Sequence, residues 1–331
     1  MKTFGDFINS SYFYVQKTQM ILNNMSKRIV VVGSCNTDMV IRVDHLPLPG
    51  ETIIGHDFIT NQGGKGANQA VAVRRLGGDT AFIARLGNDD FGKNSLRLLT
   101  EEGINTQFVN LTDGISTGVA LIPVDDKGEN SIIVSSGANA LLSIDDIVAA
   151  EPLFREAAIL LMQLETPIPT LISAARMAKR YGAKVVLNPA PYPKEPLPAE
   201  LLEMVDVITP NETEAARMSG VKVTDEGSAL EAIRAIQRQG VADVIITAGA
   251  AGAYMTKNGQ LVCIPTDKVD VVDTTAAGDT FCGALCVALC KDEDFAEAIR
   301  FANKAASLSV TRIGAWRSIP YEKEILSTLN S

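Results

Sequence analysis

The run Arg28-Ile-Val-Val-Val-Gly33 decides the fold. It is a short, continuous β-branched block closed by glycine, which suits a strand buried on both faces of a parallel sheet. Downstream, apolar runs of strand length alternate with stretches of helical periodicity. Strands are expected over 80–85, 159–163, 184–187, 205–208 and 243–247, with a further β-rich stretch to residue 268. Helices are expected over 66–76, 91–102, 169–180, 211–218 and 226–239, and two more over 278–290 and 294–310 close the chain. Strands separated by helices imply a parallel sheet covered on both sides by right-handed crossovers.

Four segments break this alternation. Residues 39–43 and 52–54 flank Pro47-Leu-Pro49-Gly50, and residues 118–124 and 131–134 flank Asp125-Asp-Lys-Gly128. Alternating residues around turn chemistry indicate half-exposed strands, so these pieces are assigned to a small antiparallel β flap. The expected fold is therefore α/β and three-layered: a mostly parallel central sheet flanked by helices, with a flap formed by about 37–62 and 107–136. No internal repeat or long linker divides the chain, so a single domain is expected over 27–325. Residues 1–26 precede the pattern and are expected to be a disordered extension without chemistry.

Composition narrows the function. The 331 residues carry 30 Lys and Arg against 39 Asp and Glu, a formal charge of -9. Such a chain has no general attraction for nucleic acid or anionic membrane. No apolar run reaches the length of a membrane span, and the first 26 residues lack an unbroken apolar signal core. Two histidines, His45 and His56, leave little material for a His-rich metal site or a Ser-His-Asp relay. Cys282, Cys286 and Cys290 recur every fourth residue, as one face of an apolar helix, and are read as buried reduced thiols in a cytoplasmic protein.

In open parallel sheets ligands sit beyond the carboxyl ends of the strands. There the first strand leads into Gly33-Ser-Cys-Asn36-Thr-Asp38, which lacks the G-x-G-x-x-G of dinucleotide binding. Asn36 and Asp38 either face a ligand or make turn hydrogen bonds. The stretch Asn61-Gln-Gly-Gly64-Lys65-Gly66-Ala67-Asn68-Gln69 brings three glycines and a lysine to a helix start, which is either a place for electron-rich oxygens or a run of glycines serving close helix-strand packing. Gly66 follows the lysine where a Walker motif needs Ser or Thr, so a P-loop NTPase is disfavoured.

Met162-Gln-Leu-Glu165, Asn188-Pro-Ala-Pro191 and Thr209-Pro-Asn211-Glu-Thr-Glu214 end later strands in carboxylates and amides. Asn211 and Glu214 admit two readings, a pair facing a hydrated magnesium ion or an ordinary N-cap with its capping-box glutamate. Thr247-Ala-Gly249-Ala-Ala-Gly252 could cup a phosphate or simply turn. In Asp273-Thr-Thr275-Ala276-Ala277-Gly278-Asp279-Thr280, an acidic residue follows small residues at the start of an apolar helix. Exposed amides there can stabilise charge on a phosphoryl group while Asp279 accepts a proton from a hydroxyl. The alternative is that Asp279 only complements the helix dipole.

Gly63-Gly64-Lys65-Gly66-Ala67-Asn68 and Asp273-Thr-Thr-Ala276-Ala277-Gly278-Asp279 together resemble the two signatures of the ribokinase, or PfkB, family of sugar kinases, and the intervening motifs occur in the family's order. The resemblance covers about residue 27 to the C-terminal end. It implies ATP-dependent phosphorylation of D-ribose at O5, with Asp279 as base and the amides of Ala276, Ala277 and Gly278 as anion hole. Asn36, Asp38, Gly64, Lys65, Asn68 and Glu165 would hold the sugar hydroxyls. Asn188, Asn211 and Glu214 would face the phosphates and Mg2+; Thr247, Gly249, Gly252 and Gly278 would contact the nucleotide, and Asn303 the adenine.

The same resemblance implies a K+ or other monovalent-cation loop from Asp273, Thr275, Ser309, Arg312, Gly314 and Ser318, and a homodimer through the β lid. Gly314-Ala-Trp316-Arg317-Ser318 departs from the family's usual Gly-Ala-Gln-Pro-Ser, and an inward-pointing Arg317 would oppose a cation. Ala276 stands where many family members have glycine, and its methyl is expected to fit an ordinary helical or extended backbone.

Overall fold

The computed structural model describes residues 27–329, so the expected extension over 1–26 lies outside the described residues. Its strands, in chain order, are β1 (Arg28–Val32), β2 (Asn36–Arg42), β3 (His56–Gly63), β4 (Thr80–Gly87), β5 (Asn105–Thr112), β6 (Gly118–Val124) and β7 (Ile133–Ser135). There follow β8 (Ala157–Met162), β9 (Lys184–Leu187), β10 (Val207–Ile208), β11 (Asp243–Val244), β12 (Ile246–Thr247), β13 (Ala253–Lys257) and β14 (Gln260–Ile264).

β1 lies inside a seven-stranded sheet of order β11-β10-β9-β8-β1-β4-β5, in which every pairing is parallel. Alternation of side chains divides its apolar block between two cores. Ile29 and Val31 pack with the helices Lys65–Arg75, Ala277–Cys290 and Phe295–Ser309; Val30 and Val32 pack with Ile168–Arg180, Glu212–Ser219 and Glu226–Gln237. Each of the four is fully buried, which explains an unbroken β-branched run. From β1 the chain first builds to one side, through β4 and β5, and later to the other, through β8. The switch point therefore opens at Gly33 and at Gln163–Glu165, beyond the carboxyl ends of β1 and β8.

Helix boundaries fall within a few residues of those expected. The expected strand over 243–247 is split, with β11 ending the main sheet and β12 opening an antiparallel sheet β12-β13-β14. Cys282, Cys286 and Cys290 are free and buried on the helix Ala277–Cys290, as expected of a core stripe. Among the described residues no helix is long and apolar enough to cross a membrane.

The flap is a second sheet of order β3-β2-β6-β7. Its outer pairings are antiparallel, while β2 and β6 run parallel from Asn36↔Gly118 to Arg42↔Val124. Two boundaries differ from expectation. Residues 52–54 form no strand; the partner of β2 is β3, because the chain stays irregular after the Pro47–Gly50 turn until it crosses tightly over Ile41 at Gly55. Residues 105–112 belong to the main sheet as β5, where Phe108 and Val109 pair with Ile83 and Ala84. The second arm of the flap therefore starts at Gly118, not at 107.

Two close approaches set the site. A Cβ on Gly66 would lie 2.6 Å from the backbone of Gly33 and Ser34, so the helix Lys65–Arg75 starts directly against the end of β1. A Cβ on Gly283 would lie 2.6 Å from that of Ala72, so the helix Ala277–Cys290 lies against the same helix. These contacts bring Asn68 and Gln69 to Asp279.

Candidate active site

Asp279 sits in the first turn of its helix and is 5% exposed. Its Oδ2 accepts from Asn68 Nδ2 at 2.9 Å and its Oδ1 from Gln69 Nε2 at 3.0 Å. Each oxygen keeps lone-pair capacity for a further proton or donor. Lys65 is held nearby. Burial works against its charge, but the carboxylates of Asp279, Glu165 and Glu214 outweigh that and hold its pKa above the ordinary lysine value. A lysine held charged among three carboxylates is suited to an anion entering between them.

Two cavities lie side by side, linked by the Lys65 amide of one donating to Glu165 of the other. One, of about 410 Å³, is lined by Ser34, Asn36, Val134, Ser136, Asn139 and Glu165, with Leu164, Thr166, Pro167 and Pro191. Asn36 Oδ1 accepts from Asn139 Nδ2 at 2.7 Å, and Glu165 Oε2 accepts from the Ser34 hydroxyl and from the Lys65 backbone amide at 3.0 Å. Val134 and Ser136 come from the flap and the turn after it, so the flap forms one wall.

The second cavity, of about 180 Å³, is lined by Lys65, Asn188, Thr209, Asn211, Glu214, Thr247, Ala276, Ala277, Gly278 and Asp279, with Ala190, Thr274 and Cys282. Of the expected sugar-binding residues, Asn36 and Glu165 line the first cavity, whereas Lys65 and Asp279 line the second. Asp38 is pushed up to about pH 7 by burial and then by the charges of Glu165 and Asp279. Its carboxylate packs against Gly63, where a Cβ would lie 2.2 Å from Oδ2. Gly64 is the N-cap of the helix Lys65–Arg75 at φ 85°, where a Cβ would meet Asn36 N at 2.7 Å.

Asn211 and Glu214 meet the capping reading. Asn211 Oδ1 accepts from the Glu214 amide at 2.8 Å and Glu214 Oε2 from the Asn211 amide at 2.9 Å, a complete capping box. Both also line the second cavity. Burial raises the Glu214 pKa despite the Asn211 hydrogen bond and the Lys65 charge, so this carboxylate is short of positive partners.

Several of the expected residues carry structural roles. Ala276 has φ 61° and ψ 12°, the left-handed region, not the ordinary conformation expected. Helix Ala277–Cys290 starts with a tight reversal there, which glycine adopts without strain and alanine does not. The Ala277 amide donates to Thr274 O at 3.2 Å, so its N–H closes the turn. The amides of Ala276 and Gly278 make no hydrogen bond among the described residues. Asn303 Nδ2 donates to the carbonyls of Ile264 and Pro265 at 2.9 and 3.2 Å, so this amide anchors backbone beside a separate surface cavity. A Cβ on Gly252 would lie 2.1 Å from Ile264 O, which makes that glycine a requirement of the turn. Gly249 is exposed, and Thr247 reaches the second cavity.

Of the expected cation loop, Asp273, Thr275 and Gly314 come together. Burial would raise the Asp273 pKa, but donors from Thr275 and from the Gly314 amide at 2.8 Å hold it below the ordinary value. Ser309 and Ser318 are buried, each donating to a backbone carbonyl of its own helix. Arg312 pairs with Glu324, and Arg317 is exposed. Among the described residues a second grouping of possible metal ligands, Asp44, His56 and Asp126, lies exposed on the flap.

Four site residues were not singled out from sequence: Ser34, Gln69, Asn139 and Gln163. The glutamines stand within quoted motifs, whereas Asn139 lies in a short 3-10 turn with no local pattern to mark it.

Comparison with known proteins accords with this arrangement. Residues 26–321 match the pfkB family carbohydrate kinases. The chain is 46% identical over 305 residues to a ribokinase of Haemophilus influenzae, covering 92% of this chain and 99% of that protein. It is 35% identical over 292 residues to a deoxyribokinase of Salmonella typhi, covering 88% and 95% of the two chains. A solved structure of Arabidopsis thaliana ribokinase complexed with ribose and ATP superposes with TM-score 0.86 at 35% identity, covering 93% of this chain and all of that one. A match that spans nearly the whole domain, joined to a buried carboxylate, a lysine and free helix-start amides around two cavities, shows that the chain belongs to the pfkB family of carbohydrate kinases.

Proposed function

We propose that the protein is an ATP-dependent kinase that phosphorylates D-ribose at O5, giving D-ribose 5-phosphate and ADP. The observation that carries this reading is the placement of Asp279: a buried carboxylate held by two amides in the wall of a cavity that also bears Lys65 and free helix-start amides, with a larger cavity carrying Asn36, Asn139 and Glu165 beside it. The ribose- and ATP-bound relative supports the choice of substrates.

In this reading ribose occupies the cavity lined by Asn36, Asn139 and Glu165, whose amide and carboxylate oxygens receive its hydroxyl protons. Asp38 borders the same ring. Asp279 takes the proton from O5 as that oxygen attacks the terminal phosphorus of ATP. Lys65 and the amides of Ala276 and Gly278 meet the charge on the transferring group, in a site where water is scarce and such donors act strongly. The flap closes over the sugar and excludes water as a competing acceptor.

Glu214, half-buried and short of cationic partners, together with Asn211 and Asn188, fits a hydrated Mg2+ beside the phosphates. That ion, when bound, would neutralise phosphate charge. The oxygens around Asp273, Thr275 and Gly314 would hold a monovalent cation such as K+, and the exposed Arg317 does not oppose it. A homodimer through the lid is part of the same reading, supported by the exposed Phe58, Ile132, Ile133 and Val134 on the flap. Free, mostly buried thiols support a reducing cytoplasm as its location.

The deoxyribokinase relative favours a second reading, in which 2-deoxyribose is the acceptor. A panel of pentoses and hexoses assayed for ADP formation with ATP, with and without K+, separates the two. The proposal expects the highest kcat/KM for ribose. A higher value for 2-deoxyribose gives the second reading, and binding of ribose and ATP without product would leave a non-catalytic sensor.

A further inference from the structure

Behind Asp279 lies a chain of buried amides, two of which, Gln69 and Gln163, the proposed chemistry does not use. Gln69 is completely buried, and its Nε2 donates both to Asp279 Oδ1 at 3.0 Å and to Asn188 Oδ1 at 3.2 Å. Its Oε1 accepts from Nε2 of Gln163, which is also completely buried. Asn188 in turn donates to Thr209 O at 3.0 Å and lines the phosphate-side cavity.

The direction of this chain is forced. A carboxylate acting as base only accepts, so Gln69 must turn its nitrogen towards Asp279 and its oxygen away. That oxygen then requires a donor, and Gln163 supplies one. Gln163 Oε1 is left buried without a partner, lodged where a Cβ on Gly33 would come within 2.1 Å. Folded proteins seldom leave a buried carbonyl unpaired, and an apolar pair would fill the same space without that loss. The glycine that ends β1 clears room for an amide whose remaining use is to orient Gln69.

We infer that Gln69 is a positioning residue: oriented by Gln163, it holds the Asp279 carboxylate in line for proton transfer and ties it to Asn188 on the phosphate side. The inference rests on Asp279 being the base. The second amide on Asp279, from Asn68, comes from the same helix turn, so the carboxylate is held by two adjacent residues and cannot rotate about its own axis without losing both. Gln69 lines neither cavity. Its effect should therefore appear in kcat and leave sugar affinity alone.

The test is a double-mutant cycle between Gln69→Met and Asp279→Asn, with kcat measured at saturating ribose and ATP and ribose affinity by calorimetry. Gln69→Met is expected to lower kcat by roughly 10–100-fold, less than the ~10²–10⁴-fold contributed by the proton-transfer group itself, with ribose affinity within about threefold of the parent. On the Asp279→Asn background the same change should alter kcat less than about twofold, because residues that act as a unit are not additive. If Gln69→Met fails to bind ribose, Gln69→Met/Gln163→Met, which leaves no glutamine stranded, carries the test with the same expectations. Full activity in the Gln69 variant, an equal loss on the Asp279→Asn background, or a parallel loss of ribose affinity in the paired variant overturns the inference. Full activity of Asp279→Asn alone overturns the base assignment, and the positioning role with it.

Discussion

Thr280 holds Ala276 in the left-handed conformation: both its amide and its hydroxyl donate to the Ala276 carbonyl oxygen at 2.8 Å. The helix that carries Asp279 thus starts from a backbone shape unfavourable for alanine.

Ala276→Gly is expected to stabilise the protein by about 0.5–1 kcal/mol, since relief of ~1–2 kcal/mol of strain exceeds the entropy that glycine adds to the unfolded chain. Scanning calorimetry would record a Tm higher by a few degrees at most. A lower Tm would show that the Ala276 methyl contributes packing that outweighs the strain.

Asp38 gives the ligand-free protein a defined pH dependence. Its folded pKa of about 7 lies above the ordinary carboxylate value, so the folded state holds a proton that the unfolded state has released. The stability it contributes is present at low pH and is lost as pH rises towards 7, by up to ~1.4 kcal/mol per pH unit across the window. Asp38→Asn removes this term. Its Tm advantage over the parent should grow between about pH 4 and 7 and level off above that, and a difference independent of pH would contradict the assignment.

Glu214→Gln separates cap from ligand. Glutamine can complete the same capping box, so Tm should change little. Loss of the charge should raise the Mg2+ concentration for half-maximal rate by roughly tenfold, the scale of one lost ion partner. An unchanged Mg2+ requirement would leave Glu214 as a helix cap alone.

The exposed Arg317 predicts a null result. Arg317→Ala should leave the K+ concentration for half-maximal activation within about twofold, because solvent screens a side chain directed outward. A much tighter K+ response would place the guanidinium over the cation loop.

Much of this was readable in the sequence because it is local. The β-branched block of β1, the glycines ahead of Asn68 and Gln69, and the small residues ahead of Asp279 each announce an element boundary by composition. Less legible was anything set by contacts between elements. The strand at 52–54 was misplaced because alternation cannot show where a chain leaves a proline turn, and 107–112 joined the flap because an edge strand of the main sheet also alternates. The two glutamines acquire meaning only once Gly283 lets one helix approach the other and Gly33 clears space for an amide. Ala276 looked ordinary because only the tertiary reversal demands its positive φ.

The central claim concerns Asp279 as the proton acceptor. Turnover of ribose by Asp279→Asn at saturating ATP and Mg2+, with ribose affinity measured on the same sample, tests it most directly. The account predicts a fall in kcat of roughly two to four orders of magnitude with ribose still bound. A variant that binds ribose and phosphorylates it at the parent rate would contradict it.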